Sequence, residues 1–170
     1  NNMEIRIASA DPHTIPGEIQ VKGANIFLGY YKNEEATNAV FTEDGWFCTG
    51  DMGIIDEEGS LFIKGRTKCM ILGPSGQNIY PEEVETVINN HHYVVDSLVV
   101  EDNGGLTALI FPDFATGARD GMRQDAFVKY IEGLLPEINN DLPNYAKLKK
   151  IEVMSEDFER TPKKSIKRYL

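Results

Sequence analysis

The sequence predicts an α+β protein in two parts. Period-two alternation of apolar and polar residues, closed twice by hairpin-turn chemistry, predicts strands. Apolar residues at helical spacing after Pro81 and around Met122 predict helices. Alternation fades after Arg66, which divides the chain into a β-rich first part, residues 1–66, and a small second part, residues 67–170. The second part is expected to hold a mainly antiparallel sheet flanked by helices.

In order along the chain, Glu4 to Ile7 and Glu18 to Gly23 alternate as strands, punctuated by Pro12 and Pro16-Gly17. Asn33 is placed to cap a short helix. Glu34 and Glu35 oppose its dipole, and Ala36, Ala39 and Val40 supply a small apolar face. Met52–Ile55 and Ser60–Ile63 flank Asp56-Glu57-Glu58-Gly59 as a hairpin. Asp51 then sits at the mouth of that hairpin and Arg66 just past its other strand, close enough to share a ligand.

Beyond it, Cys69 to Leu72 reads as a short strand, and Pro81 suits the first position of a helix whose buried stripe is Val84, Val87 and Ile88. Val94–Val100 and Leu106–Phe111 are strands joined through Asp102-Asn103-Gly104-Gly105. Met122, Ala126, Tyr130 and Ile131 have the spacing of a core-facing helix, which Pro136 must break or kink. Leu142-Pro143 opens a connector, Lys150–Met154 is a last strand, and Thr161 to Leu170 is an exposed basic tail.

Composition excludes several classes. The 170 residues are 41% hydrophobic with a formal charge of −10, which argues against a general nucleic-acid surface. Charge is segregated: eight Lys/Arg against four Asp/Glu from Lys147 onward make that segment +4 and the remainder −14. No apolar run approaches a membrane span, and no leader pattern opens the chain, so a cytoplasmic setting is expected, with peripheral membrane contact left open. Cys48 and Cys69 read as reduced thiols. They and His13, His91 and His92 lack metal-ligand spacing, so no metal site is expected. The chain also opens inside a sheet without an initiating Met, as a piece of a longer protein would.

The chemistry concentrates between residues 45 and 81. A carboxylate such as Asp51 can accept from two neighbouring hydroxyls, and an arginine fork such as Arg66 can donate to the same sugar or phosphate. Gly45-Trp46-Phe47, Thr49-Gly50-Asp51, Gly65-Arg66 with Lys68, Pro81-Glu82-Glu83-Val84-Glu85 and Thr161-Pro162 occur in the order found in adenylate-forming enzymes. With Gly17-Glu18-Ile19 and Gly29-Tyr30-Tyr31 upstream, nearly the whole chain resembles acyl-CoA synthetases, luciferases and adenylation domains. It is most similar to the C-terminal part of a long-chain fatty-acid–CoA ligase.

The resemblance implies the end of a large N-terminal domain, a distorted β-barrel, followed by a small mobile C-terminal domain. It implies ATP and CoA as substrates, Mg2+ accompanying ATP in the full-length enzyme, a fatty acid as the group activated, and the upstream large domain as partner. The two steps would be formation of acyl-AMP with release of pyrophosphate, then transfer to CoA with release of AMP. Asp51 would hold the ribose hydroxyls, Arg66 the same nucleotide, Lys68 would be the hinge, and Gly76 would lie on the loop facing the pantetheine arm of CoA.

The sequence departs from the family at two positions. Laying Thr161-Pro162 and Lys167-Arg168 on the family's tail pattern puts Ser165 where the catalytic lysine is usual. Lys164 is the favoured substitute, with Lys163, Lys167 or a weakened adenylation step as alternatives. Cys69 stands where an acid commonly follows the hinge residue. The family's phosphate loop is not in these 170 residues, so the fragment alone is expected to be inactive. The rival readings are an adenylation domain for amino or aryl acids and a degenerate, non-catalytic binding module.

Overall fold

The computed structural model describes residues 3–74 and 76–168. Ser75 and the last two residues of the basic tail, Tyr169 and Leu170, lie outside the described residues. The chain separates into two compact units, the first ending at Lys68 and the second beginning at Cys69.

The first unit is a four-stranded antiparallel meander of β1 (Met3–Ala8), β2 (Gly17–Gly23), β3 (Phe47–Ile55) and β4 (Leu61–Arg66). Alternation in β1 and β2 places Ile7 and Ile19 opposite each other, and both are buried with Met52. Between β2 and β3 lies the helix α1 (Glu34–Asn38), and Asn33 caps it: its Oδ1 accepts from the Ala36 N–H at 3.0 Å. The expected apolar face of this helix does not form, since none of its residues is buried and Ala39 falls outside it. Aromatic packing substitutes for it. Phe27 meets Tyr30, Phe41 and Phe47 with ring centroids 5.1–5.6 Å apart.

The β3–β4 hairpin forms at Asp56 to Gly59, with β3 starting at Phe47, five residues earlier than alternation suggests. Thr49-Gly50-Asp51 hides that start, because Gly50 takes φ +75 within the strand and interrupts the period-two pattern. Asp51 is therefore inside the ladder and not at a turn, and Arg66 is the last residue of β4 and not beyond it.

In the second unit, the short strands β5 (Ile71–Leu72) and β6 (Asn78–Ile79) form a small ladder, and Thr67–Cys69 is a 3₁₀ turn where a strand was expected to begin. Helix α2 (Pro81–Asn89) starts with Pro81 and buries Val84 and Ile88 as predicted, and also the carboxylate-bearing Glu85. The main sheet has the order β7 (Val94–Asp102), β8 (Gly105–Pro112), β9 (Leu148–Val153). Asn103 and Gly104 turn the β7–β8 hairpin with φ of 48° and 70°, the left-handed pair that matches strand twist.

Strand β9 runs parallel to β8, which requires a long crossover. That crossover is α3 (Phe114–Arg119), α4 (Gln124–Glu132) and α5 (Leu135–Asp141). Pro136 does end the helix predicted around Met122, by occupying the first turn of α5. Of the expected stripe, Ile131 is buried and Met122 packs against the core, but Ala126 and Tyr130 do not join them. Phe127, Ile131, Leu134 and Ile138 enter the core, while Ala126 and Tyr130 face outward. These residues pack with Ile88, Val99, Ala108, Ile110 and Ile151 into one core under the sheet.

Candidate active site

Two groups of residues carry the candidate chemistry, one in each unit. In the first unit, Thr49 Oγ1 donates to the Ile19 carbonyl at 2.9 Å and accepts the Asp51 N–H at 3.1 Å, tying β3 to β2 just before the acid. The Gly50 N–H donates to Glu18 Oε1 at 3.0 Å. At φ +75 a side chain on Gly50 would be strained, and its Cβ would lie 3.5 Å from Arg66 Nη2.

Asp51 and Arg66 are direct partners across the ladder, and Arg66 Nε lies 3.1 Å from Asp51 Oδ1. A one-residue register shift follows on the inner side, where Met52 pairs with Gly65 but Gly53 pairs with Ile63, leaving Lys64 as the extra residue of a bulge. One inserted residue changes which face later side chains occupy, and so sets the face on which the pair meets. Both partners stay solvent-accessible, at 32% and 59% of their side-chain surface, so a ligand can reach them. Lys68 is exposed in the 3₁₀ turn at the end of the first unit.

In the second unit, Gly76 sits in the β5–β6 turn with φ +81, closed by the Gly73 N–H donating to the Gln77 carbonyl at 2.8 Å. No atom lies within 4 Å of where its Cβ would be, so the glycine answers a backbone requirement and leaves open space beside it.

As expected, the basic tail is largely exposed, at Pro162 to Ser165 and again at Lys167, and it is folded back on itself. Residues 159–167 form a narrow hairpin: Arg160 bridges to Ile166, the Thr161 N–H donates to the Ser165 carbonyl at 2.8 Å, and the Lys164 N–H donates to the Thr161 carbonyl at 2.8 Å. Pro162 pre-sets the turn, and Lys164 takes the left-handed position at φ 64, where glycine is the usual residue. Pro162, Lys163, Lys164 and Ser165 are exposed, and side chains of the flanking residues form ion pairs. The Lys167 ammonium, 2.8 Å from Glu159, lowers that carboxyl's pKa, and Arg160 does the same to Asp157 from 2.9 Å.

Arg168 meets Glu85 bidentately, Nη1 donating to Oε1 at 2.8 Å and Nη2 to Oε2. Burial opposes the charge of Arg168, but the Glu85 hydrogen bonds and charge outweigh it, and its pKa is raised. Sequence reasoning places Glu85 in the Pro81-Glu82-Glu83-Val84-Glu85 motif but assigns it no role. The signal for its burial is an acid at a position that the stripe of α2 turns inward. Among the described residues no group of three or more His, Cys, Asp or Glu is arranged to hold a metal ion, and no helix is long and apolar enough to cross a membrane.

The second unit thus combines a mixed three-stranded sheet with the short β5–β6 hairpin and a lysine-bearing terminal hairpin. The family model "AMP-binding enzyme C-terminal domain" matches residues 70–170, and the chain belongs to that family.

The long-chain-fatty-acid–CoA ligase FadD15 of Mycobacterium tuberculosis is 44% identical over 86 residues, covering 51% of this chain and 14% of its own length. The 2-succinylbenzoate–CoA ligase of Bacillus pumilus is 48% identical over 81 residues, 48% of this chain and 16% of the relative. Among solved structures, ATP-bound MatB from Rhodopseudomonas palustris superposes with a TM-score of 0.76 at 31% identity, covering 98% of this chain and 32% of that one. The o-succinylbenzoate CoA synthetase of Bacillus subtilis, in complex with ATP and magnesium, gives 0.78 at 29% identity over 97% and 33%. This chain thus spans about one-sixth of those curated relatives and a third of those solved chains.

Proposed function

We propose that this chain forms the C-terminal part of an AMP-forming ligase that joins a carboxylic acid to CoA at the expense of ATP. The observation that carries the reading is the cross-strand pairing of Asp51 with Arg66. With Oδ1 held by the guanidinium, the second carboxylate oxygen is oriented to accept from a ribose hydroxyl, and the outer guanidinium nitrogens are left for the same nucleotide.

In the first step a substrate carboxylate oxygen attacks the α-phosphorus, the bond to the bridging oxygen breaks, and pyrophosphate leaves. In the second the CoA sulfur attacks the acyl carbon and AMP leaves with the electron pair of the C–O bond. Negative charge gathers on phosphate and carboxylate oxygens in the first step, and a cation placed there is worth about 10²–10³-fold in rate. Lys164, projecting from the exposed hairpin tip beside Ser165, supplies that cation. Lys68 is the hinge about which the second unit turns between the two steps, because a 3₁₀ turn between compact units can absorb a large backbone rotation. Gly76 keeps the β5–β6 turn clear for the pantetheine arm.

A fatty acid as the activated group is supported by FadD15, and an aryl acid by the succinylbenzoate ligase and by a probable 4-coumarate–CoA ligase of Dictyostelium discoideum that is 48% identical over 84 residues. The test is AMP release by the full-length protein with palmitate, acetate, benzoate and amino acids, each with and without CoA. CoA-dependent AMP release with palmitate supports the fatty-acid reading, and with benzoate the aryl one. Release with amino acids and no need for CoA contradicts the ligase reading.

A further inference from the structure

The hairpin that presents Lys164 has little apolar anchoring of its own. Phe158 and Ile166 are only half-buried, and from Glu159 to Arg168 no residue is fully buried. What holds it lies on either side of the tip. Before it, Arg160 Nη2 reaches Asp96 on β7 at 2.7 Å. After it, Arg168 grips Glu85, a buried residue of α2 whose Oε1 also accepts the Val99 N–H at 2.8 Å from the middle of β7. Glu82 adds a second carboxylate 3.5 Å from the same guanidinium.

We propose that Glu85 and Arg168 are positioning residues for the adenylation step. Their bidentate pair anchors the exit strand of the hairpin to the core and so sets where the lysine tip can reach. A planar fork held by two carboxylate oxygens has one orientation, and the carboxylate is itself fixed by a backbone N–H of the central sheet. Removing the Arg168 fork releases the tip, which lowers the effective concentration of the lysine at the reacting phosphate. This inference rests on the reading of Lys164 given above.

The experiment uses the full-length protein and the acid it activates from the panel above. Two half-reactions are measured, ATP–pyrophosphate exchange and CoA thioester formation from supplied acyl-adenylate, for Arg168→Ala, Arg168→Lys, Glu85→Gln and Lys164→Ala. Exchange is expected to fall at least tenfold in Arg168→Ala while thioester formation stays within twofold, and Arg168→Lys, which keeps the charge but not the fork, falls between. In Glu85→Gln, whose tail sequence is unchanged, trypsin should cut after Lys163 and Lys164 at least several times faster.

Exchange within twofold of wild type in Arg168→Ala, or an equal fall of both half-reactions, overturns the positioning role. Unchanged exchange in Lys164→Ala overturns the underlying reading of the hairpin. A slowed Lys164→Ala beside an unaffected Arg168→Ala overturns the anchor alone.

Discussion

Asp51 and Arg66 face each other across the β3–β4 ladder as register partners, with Nε and Oδ1 3.1 Å apart, although fourteen residues of hairpin lie between them in sequence. Thr49 fixes the backbone on one side of the pair and the bulge at Lys64 sets its face on the other. A mobile surface ion pair would be worth little. This one is held by its strands, and both side chains stay partly accessible to solvent.

Replacing Asp51 by Asn keeps the shape and removes the charge. Hydrogen bonds to charged groups contribute about 1.5–3 kcal/mol, so kcat/KM for ATP should fall tenfold or more. The loss should appear in titrations of ATP and not in those of CoA, while the melting temperature stays close to wild type. A selective change in the CoA dependence would assign Asp51 elsewhere.

Lys164 offers a test in which stability and activity move in opposite directions. A non-glycine residue in the left-handed region costs about 1–2 kcal/mol, part of which a glycine returns through its freer unfolded chain. Lys164→Gly should therefore hold or slightly raise thermal stability while slowing pyrophosphate exchange. A variant as active as wild type would hand the cationic role to a neighbouring lysine.

Gly76 has φ +81 and open space around its missing Cβ. Gly76→Val should cost about 1–2 kcal/mol through the backbone alone. If the turn borders the path of CoA, thioester formation will fall much further than that, with pyrophosphate exchange spared. Equal effects on both half-reactions would confine Gly76 to turn geometry.

Acid sensitivity should have a marker in the first unit. Arg6 donates to Asp44 at 2.7 Å and, with a hydrogen bond from Thr42, lowers its pKa from 3.8 to about 2. A carboxyl whose folded pKa is depressed stabilises the fold above its unfolded pKa, and that contribution is lost as pH falls through the folded value. Thermal melts of wild type and Asp44→Asn should differ at pH 5–7 and converge between about pH 4 and pH 2. The difference will be small, because the pair is exposed to solvent. A gap that persists to pH 2 would mean that Asp44 acts through its neutral hydrogen bonds.

Local chemistry determined much of this protein from the sequence alone. The Asn33 cap, the Asn103–Gly104 turn, the start of α2 at Pro81 and the interruption at Pro136 follow from side-chain and backbone preferences within a few residues, and each forms as the residues require. The order of its glycine, acid and arginine motifs was likewise enough to recognise its family. Tertiary structure decided what depends on distant partners. Strand β9 is parallel to β8 because the intervening helices can cross the sheet. The stripe of α4 takes Phe127 with Ile131 and leaves Ala126 and Tyr130 outside, because the core lies on that side. Glu85 binds Arg168, 83 residues away, because folding brings the end of the tail back to α2. No local pattern encodes such a contact. An acid on a helix and an arginine near a chain end look like ordinary surface charges until burial removes water from one of them and leaves the other as its partner.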